Sequence, residues 1–157
     1  MEVGIHANVC DQTTSNVSAA LTVPFKELSA LLSGNYGGAM EHLWIDLDLL
    51  ESHAKVDGKG RFPFRFQKRV SGRSRFGLPA IPDKFNVGHY SVKPDFKIIK
   101  SLSAERLVPY VLSLIYDSTS VLIEKQKKLG SFDAALFRRN FIQACRSIGY
   151  EVSSNAL

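Results

Sequence analysis

Cysteine is scarce in this chain: 157 residues carry two, Cys10 and Cys145. Two thiols so far apart make neither a disulfide framework nor a cysteine-based zinc site. Cys145 falls in a helical pattern as a small core residue, Cys10 has no neighbouring base to activate it, and a reducing cytoplasm is the expected setting. Long apolar runs are missing as well. The most apolar stretch, Val108 to Tyr116, is far short of the ~20 residues a membrane span needs, so no membrane partner is expected. The N-terminal MEVGIHANVC has an early acid and no continuous apolar core, unlike a secretory signal. Nucleotide-cradling motifs are absent too. GNYGG lacks the G-x-x-x-x-G-K-[ST] arrangement, VDGKGRF lacks G-x-G-x-x-G, and no G-x-S-x-G elbow or zinc-finger spacing occurs. No cofactor is expected.

Basic residues are nearly absent from the first third. Residues 1–54 hold one base, Lys26, against seven acids; residues 55–100 hold twelve bases against three acids. The formal charge of +5 therefore conceals an acidic first third and a basic middle. Segregation of this kind suits a polyanion partner, and it equally suits two segments that lie side by side and neutralise one another.

What is present fits one domain over residues 1–157, with residues 153–157 as a frayed tail. Val3–Cys10 reads as a first strand. VPFKELSALLSG reads as a short helix, with Pro24 in its first turn and Gly34 closing it in the left-handed conformation. AMEHLWIDLDLL alternates: Leu43, Ile45, Leu47 and Leu49 share one face, and His42, Trp44, Asp46 and Asp48 share the other. RFPFRFQKRV alternates too, with Phe62, Phe64 and Phe66 on one side, and Pro63, which cannot donate a ladder hydrogen bond, calls for a sheet edge or a bulge. Val87–Val92 is a further strand. The last third is helical, opened by Ser103, split near DSTS at 117–120, ended by Gly130, restarted by Ser131 and stopped by Gly149. Strands first and helices afterwards give an α+β domain: an antiparallel sheet of about four strands, packed on one face by two C-terminal helices, plus a short N-terminal helix.

Three surfaces carry chemistry. GRFPFRFQKRVSGRSRFG, residues 60–77, holds six Arg or Lys from Arg61 to Arg75. Polyanion binding needs several cations within reach of successive phosphates and a ring on which bases stack. Lys68, Arg69, Arg73 and Arg75 at the hairpin tip, with Phe76, meet that description, and engagement of an acidic partner, nucleic acid first, is the leading expectation. The alternative for the same residues is a solvated hairpin whose Arg61 and Arg65 face Asp46 and Asp48 across a strand pair. Trp44, on a polar strand face beside two aspartates, is the second candidate: an anchor for a protein partner or a homodimer, unless a helix covers it. The third is a divalent-metal site of His42, Asp46 and Asp48 serving a phosphodiesterase, set against the plain alternation of an exposed strand. His89, in NVGHYS, has no nucleophile near it in sequence. Non-enzymatic binding is the class these residues favour.

Overall fold

A computed structural model describes residues 1–7, 12, 14–50, 64–71 and 83–152, with side chains except at 67–71 and 83–85. The elements are β1 (Glu2–Ala7), α1 (Ser15–Leu32), β2 (His42–Leu47), β3 (Arg65–Ser71), β4 (Asp83–Val92), α2 (Phe96–Ser101), α3 (Ala104–Ser118), α4 (Ser120–Lys125) and α5 (Ala134–Ser147). The chain is α+β with a four-stranded sheet in the order β1-β2-β4-β3.

The sheet is mixed, not the antiparallel meander the sequence suggested. β1 pairs parallel with β2, β2 pairs parallel with β4, and only β3 pairs antiparallel with β4. For the first pair, β1 with β2, the reason lies in α1. A helix between two neighbouring strands carries the chain back to its starting end, so the second strand must run the same way as the first. α1 has 18 residues rather than the few turns expected. It begins in the polar stretch at Ser15, where Val17 and Leu21 already continue the buried stripe of Phe25, Leu28 and Leu32. Pro24 is therefore interior and forfeits one backbone hydrogen bond, a loss offset by the apolar surface buried around it. Gly34 does not adopt the left-handed conformation; its N–H donates to the Met1 carbonyl at 3.0 Å instead.

That contact belongs to a wider arrangement at the β1 edge. Val3 and Ile5 direct their N–H groups away from β2, and serine hydroxyls of α1 accept them: Ser33 Oγ from Val3 at 3.0 Å and Ser29 Oγ from Ile5 at 2.9 Å. One helical turn rises ~5.4 Å, and two strand residues span ~6.6 Å. The two repeats are close enough for serines four apart to serve strand amides two apart.

The helical third divides where DSTS predicted. Ser118 donates to the Ile115 carbonyl and Thr119 to the Tyr116 carbonyl, so side-chain hydroxyls compete with the helical ladder. Arg138 of α5 secures the break, donating to Thr119 Oγ1 at 2.7 Å and stacking its guanidinium 4.2 Å from the Tyr116 ring centre. The residues after Leu102 thus form α3, α4 and α5, preceded by the short α2, rather than two helices. Asp133, not Ser131, caps α5, accepting from Leu136 N–H at 2.8 Å. Gly130 and Gly149 have the positive φ that their stop positions require. Ala104–Lys125 is long and apolar enough in composition to cross a membrane, but much of it is buried inside the fold.

One core holds these parts together. Val3 and Ile5 of β1, Leu43, Ile45 and Leu47 of β2, and Tyr90 and Val92 of β4 meet apolar residues of α1, α3, α4 and α5. Phe64 joins its rim, 6.1 Å from Tyr90, whereas Phe66 at 37% exposure is not a core residue. A strand at the sheet edge has few neighbours to cover its end, and β3 does occupy that edge. Phe62, Pro63 and the 153–157 tail lie outside the described residues.

Candidate functional site

The face of β2 that the core does not use carries His42, Trp44 and Asp46, and the ladder sets this row among like positions on its neighbours. Glu2, Gly4 and His6 of β1 stand beside His42, Trp44 and Asp46 in that order. On the other side stand Val87, His89 and Ser91 of β4, and Arg65 of β3 is opposite His89. Parallel pairing keeps cross-strand partners on one side of the sheet, so a single surface runs from Gly4 through Trp44 and His89 to Arg65.

Four of its polar side chains form two pairs. His89 Nε2 lies 2.6 Å from Asp46 Oδ2, with side-chain exposures of 25% and 16%. His42 Nδ1 lies 3.2 Å from Glu2 Oε2. The His42 ring also sits 6.3 Å from the Trp44 ring, tilted against it. Trp44 is thus bracketed by two imidazole–carboxylate pairs. It is half-buried, neither sealed in the core nor wholly in solvent. Gly4 beside it is a matter of space: a Cβ there would come 2.6 Å from His6 Nε2 and 3.3 Å from Trp44 Cδ1.

The three surfaces expected from sequence fare differently. Asp46 does not face Arg65 across a strand pair, because β2 lies between β1 and β4 and does not pair with β3. Its cross-strand partner is Ser91 and its hydrogen-bond partner is His89. Neither was legible from β2 alone, since the parallel placement of β4 was not foreseen. The metal set disperses. β2 ends at Leu47, so Asp48 leaves the strand face and is buried, its carboxylate accepting Leu50 N–H at 2.9 Å. His42 goes to Glu2 and Asp46 to His89, and no three ligand-type residues among those described could hold a metal ion. Of the basic hairpin, Lys68 stands opposite Asn86 in the ladder and Arg69 opposite Phe85. Arg73, Arg75 and Phe76 lie outside the described residues, as do Arg61 and Cys10.

Catalysis would need more than the His89–Asp46 pair offers. A carboxylate that orients an imidazole is half of a nucleophile-activating arrangement. Cys145, the described thiol, is wholly buried in α5, where burial pushes its pKa from 9.0 to about 12. It stays protonated at neutral pH and packs as a small apolar residue. No protein-family model matches the chain, and neither does any curated protein or solved structure.

Proposed function

We propose that the chain is a non-enzymatic binding protein whose sheet face around Trp44 docks a partner protein. The observation that carries this reading is the bracketing of a half-buried Trp44 by the Glu2–His42 and Asp46–His89 pairs. Binding hot spots favour a tryptophan whose surroundings are already ordered, because little side-chain freedom is then lost on docking. The pairs hold the rim groups in place before a partner arrives. Asp46 and Glu2 beside the ring also make this face a poor seat for phosphates, and mixed, locally neutralised charge suits a protein surface better.

The test is a comparison of three purified proteins: wild type, Trp44→Ala, and Val23→Ala as a control on the exposed side of α1. Partners are captured from the source cells with wild type, purified, and titrated calorimetrically against all three. Loss of about 30-fold or more in affinity with Trp44→Ala, and none with Val23→Ala, is the expected pattern for a hot spot. Equal affinity for all three proteins removes Trp44 from the interface and the proposal with it. Sedimentation of the free protein identifies the case in which the partner is a second copy.

A nucleic-acid reading retains one specific support. Twelve of the twenty bases fall within residues 55–100, and this segment contains β3, the edge strand bearing Arg65, Lys68 and Arg69. Phosphate-type contacts there would have little sequence selectivity and steep salt dependence. Fluorescence anisotropy with single- and double-stranded oligonucleotides at two salt concentrations checks it. The companion variant changes Lys68, Arg69, Arg73 and Arg75 to Glu. Binding that salt weakens and the variant abolishes favours nucleic acid; no binding at low salt excludes it.

A further inference from the structure

Between β1 and α1 lies a groove of about 470 Å³ that adjoins the docking face and shares Glu2, Gly4, His6 and Trp44 with it. α1 runs opposite to β1, since Ser33 meets Val3 and Ser29 meets Ile5. The two ends of the groove therefore differ in chemistry. Glu2 marks one end, its carboxylate held by His42. His6, Lys26 and Thr22 line the groove toward the other end, Trp44 supplies ring surface, and Phe25 closes the base from the core.

His6 and Lys26 differ from the other imidazole and ammonium groups nearby in what they lack. Among the described residues neither has a hydrogen bond or an ion pair, whereas His42 and His89 each hold a carboxylate. Glycine at position 4 keeps the floor open. A Cβ there would intrude on His6 and on the edge of Trp44. An exposed ammonium and an exposed imidazole with no protein partner among the described residues, beside the Trp44 ring in a groove of ligand size, suit an anionic head on a ring.

We infer that this groove binds a small aromatic anion, a carboxylate or a phosphate monoester, with its head at Lys26 and His6 and its ring against Trp44. Lys26 supplies the charge and His6 an imidazole N–H. The hydroxyl of Thr22 is turned to the Ser18 carbonyl at 3.1 Å, so it acts as an acceptor toward any ligand hydroxyl and not as a second donor to the head. The inference does not depend on the protein-docking proposal, and its test uses no partner protein.

Trp44 is the sole tryptophan, so its fluorescence reports on the groove directly. Wild type is titrated with phenyl phosphate, phenylacetate and inorganic phosphate, each to about 10 mM, the range in which a millimolar site saturates. A saturable change with one of the two aromatic anions is expected, and which of them it is distinguishes phosphate from carboxylate. Lys26→Gln, an exposed substitution, and His6→Ala should each weaken that binding about tenfold or more, as loss of a charge-assisted contact does. Circular dichroism confirms that both variants fold. Three results overturn the inference: no saturable change with either aromatic probe, saturation by inorganic phosphate alone with equal affinity, or a response unchanged in Lys26→Gln and His6→Ala.

Discussion

Alternate residues of β2 make two surfaces that obey different rules. Leu43, Ile45 and Leu47 are fully excluded from water within a core to which all five helices contribute. His42, Trp44 and Asp46, one residue out of step, meet short polar partners on β1 and β4 instead. The first surface gains its free energy from area, and any apolar residue of similar volume serves it. The second depends on particular atom pairs, and shape alone does not replace them. Changes on the inner face should therefore appear as lost stability, and changes on the outer face as lost recognition.

Ile45→Ala gives the largest effect. Deleting a buried branched side chain costs about 2–5 kcal/mol, to be read from urea unfolding; a cost below about 1 kcal/mol would mean the inner face is not the tight core described. Next comes the β1 edge. Ser29→Ala leaves the Ile5 amide without its acceptor, for about 1–3 kcal/mol. Hydrogen exchange at Ile5 should accelerate while Ile45, with its ladder intact, stays protected, and equal rates at Ile5 in both proteins would show that water replaces the hydroxyl at no cost. Asp46→Ala should cost about 1 kcal/mol and release the His89 ring. A stable protein whose His89 resonances do not move would separate Asp46 from the docking face.

The smallest effect concerns pH. The Cys145 thiol titrates near 12 in the folded chain, against 9.0 for an ordinary thiol, because burial disfavours the thiolate. The unfolded chain thus releases this proton first. The stability that a neutral, buried thiol contributes is whole below pH 9 and declines as pH rises toward 12. Cys145→Ala, compared with wild type by thermal melting between pH 8 and 10.5, should flatten that decline. A thiol reagent at pH 8 should modify Cys145 only as fast as the chain unfolds.

How much of this could be read from the sequence depended on the range of the forces involved. β2, the split between α3 and α4 and the stops at Gly130 and Gly149 are local matters of periodicity, hydroxyl competition and positive φ, and each was legible. Strand direction was not. Whether β2 runs with or against β1 is decided by α1, whose first turns are written in Ser, Asn and Ala and carry only a faint apolar stripe. The placement of β4 beside β2 depends on a long connection through β3, which no local pattern announces. The Asp46–His89 pair joins residues 43 positions apart, so no spacing along the chain announces it. Asp48 misled for the opposite reason. The alternation continues one step past the strand in the sequence, but the backbone leaves the ladder at Leu47.

The serines of α1 have a consequence for assembly. Growth of an open-ended fibre by strand addition requires every copy to offer two unsatisfied sheet margins, one to give and one to receive. Here the β1 margin is already terminated by Ser29 and Ser33, hydroxyl for amide, within the same molecule. Among the described strands the other margin is that of β3. Copies joined through that margin alone would close as a pair, so the two serines act against open-ended strand addition.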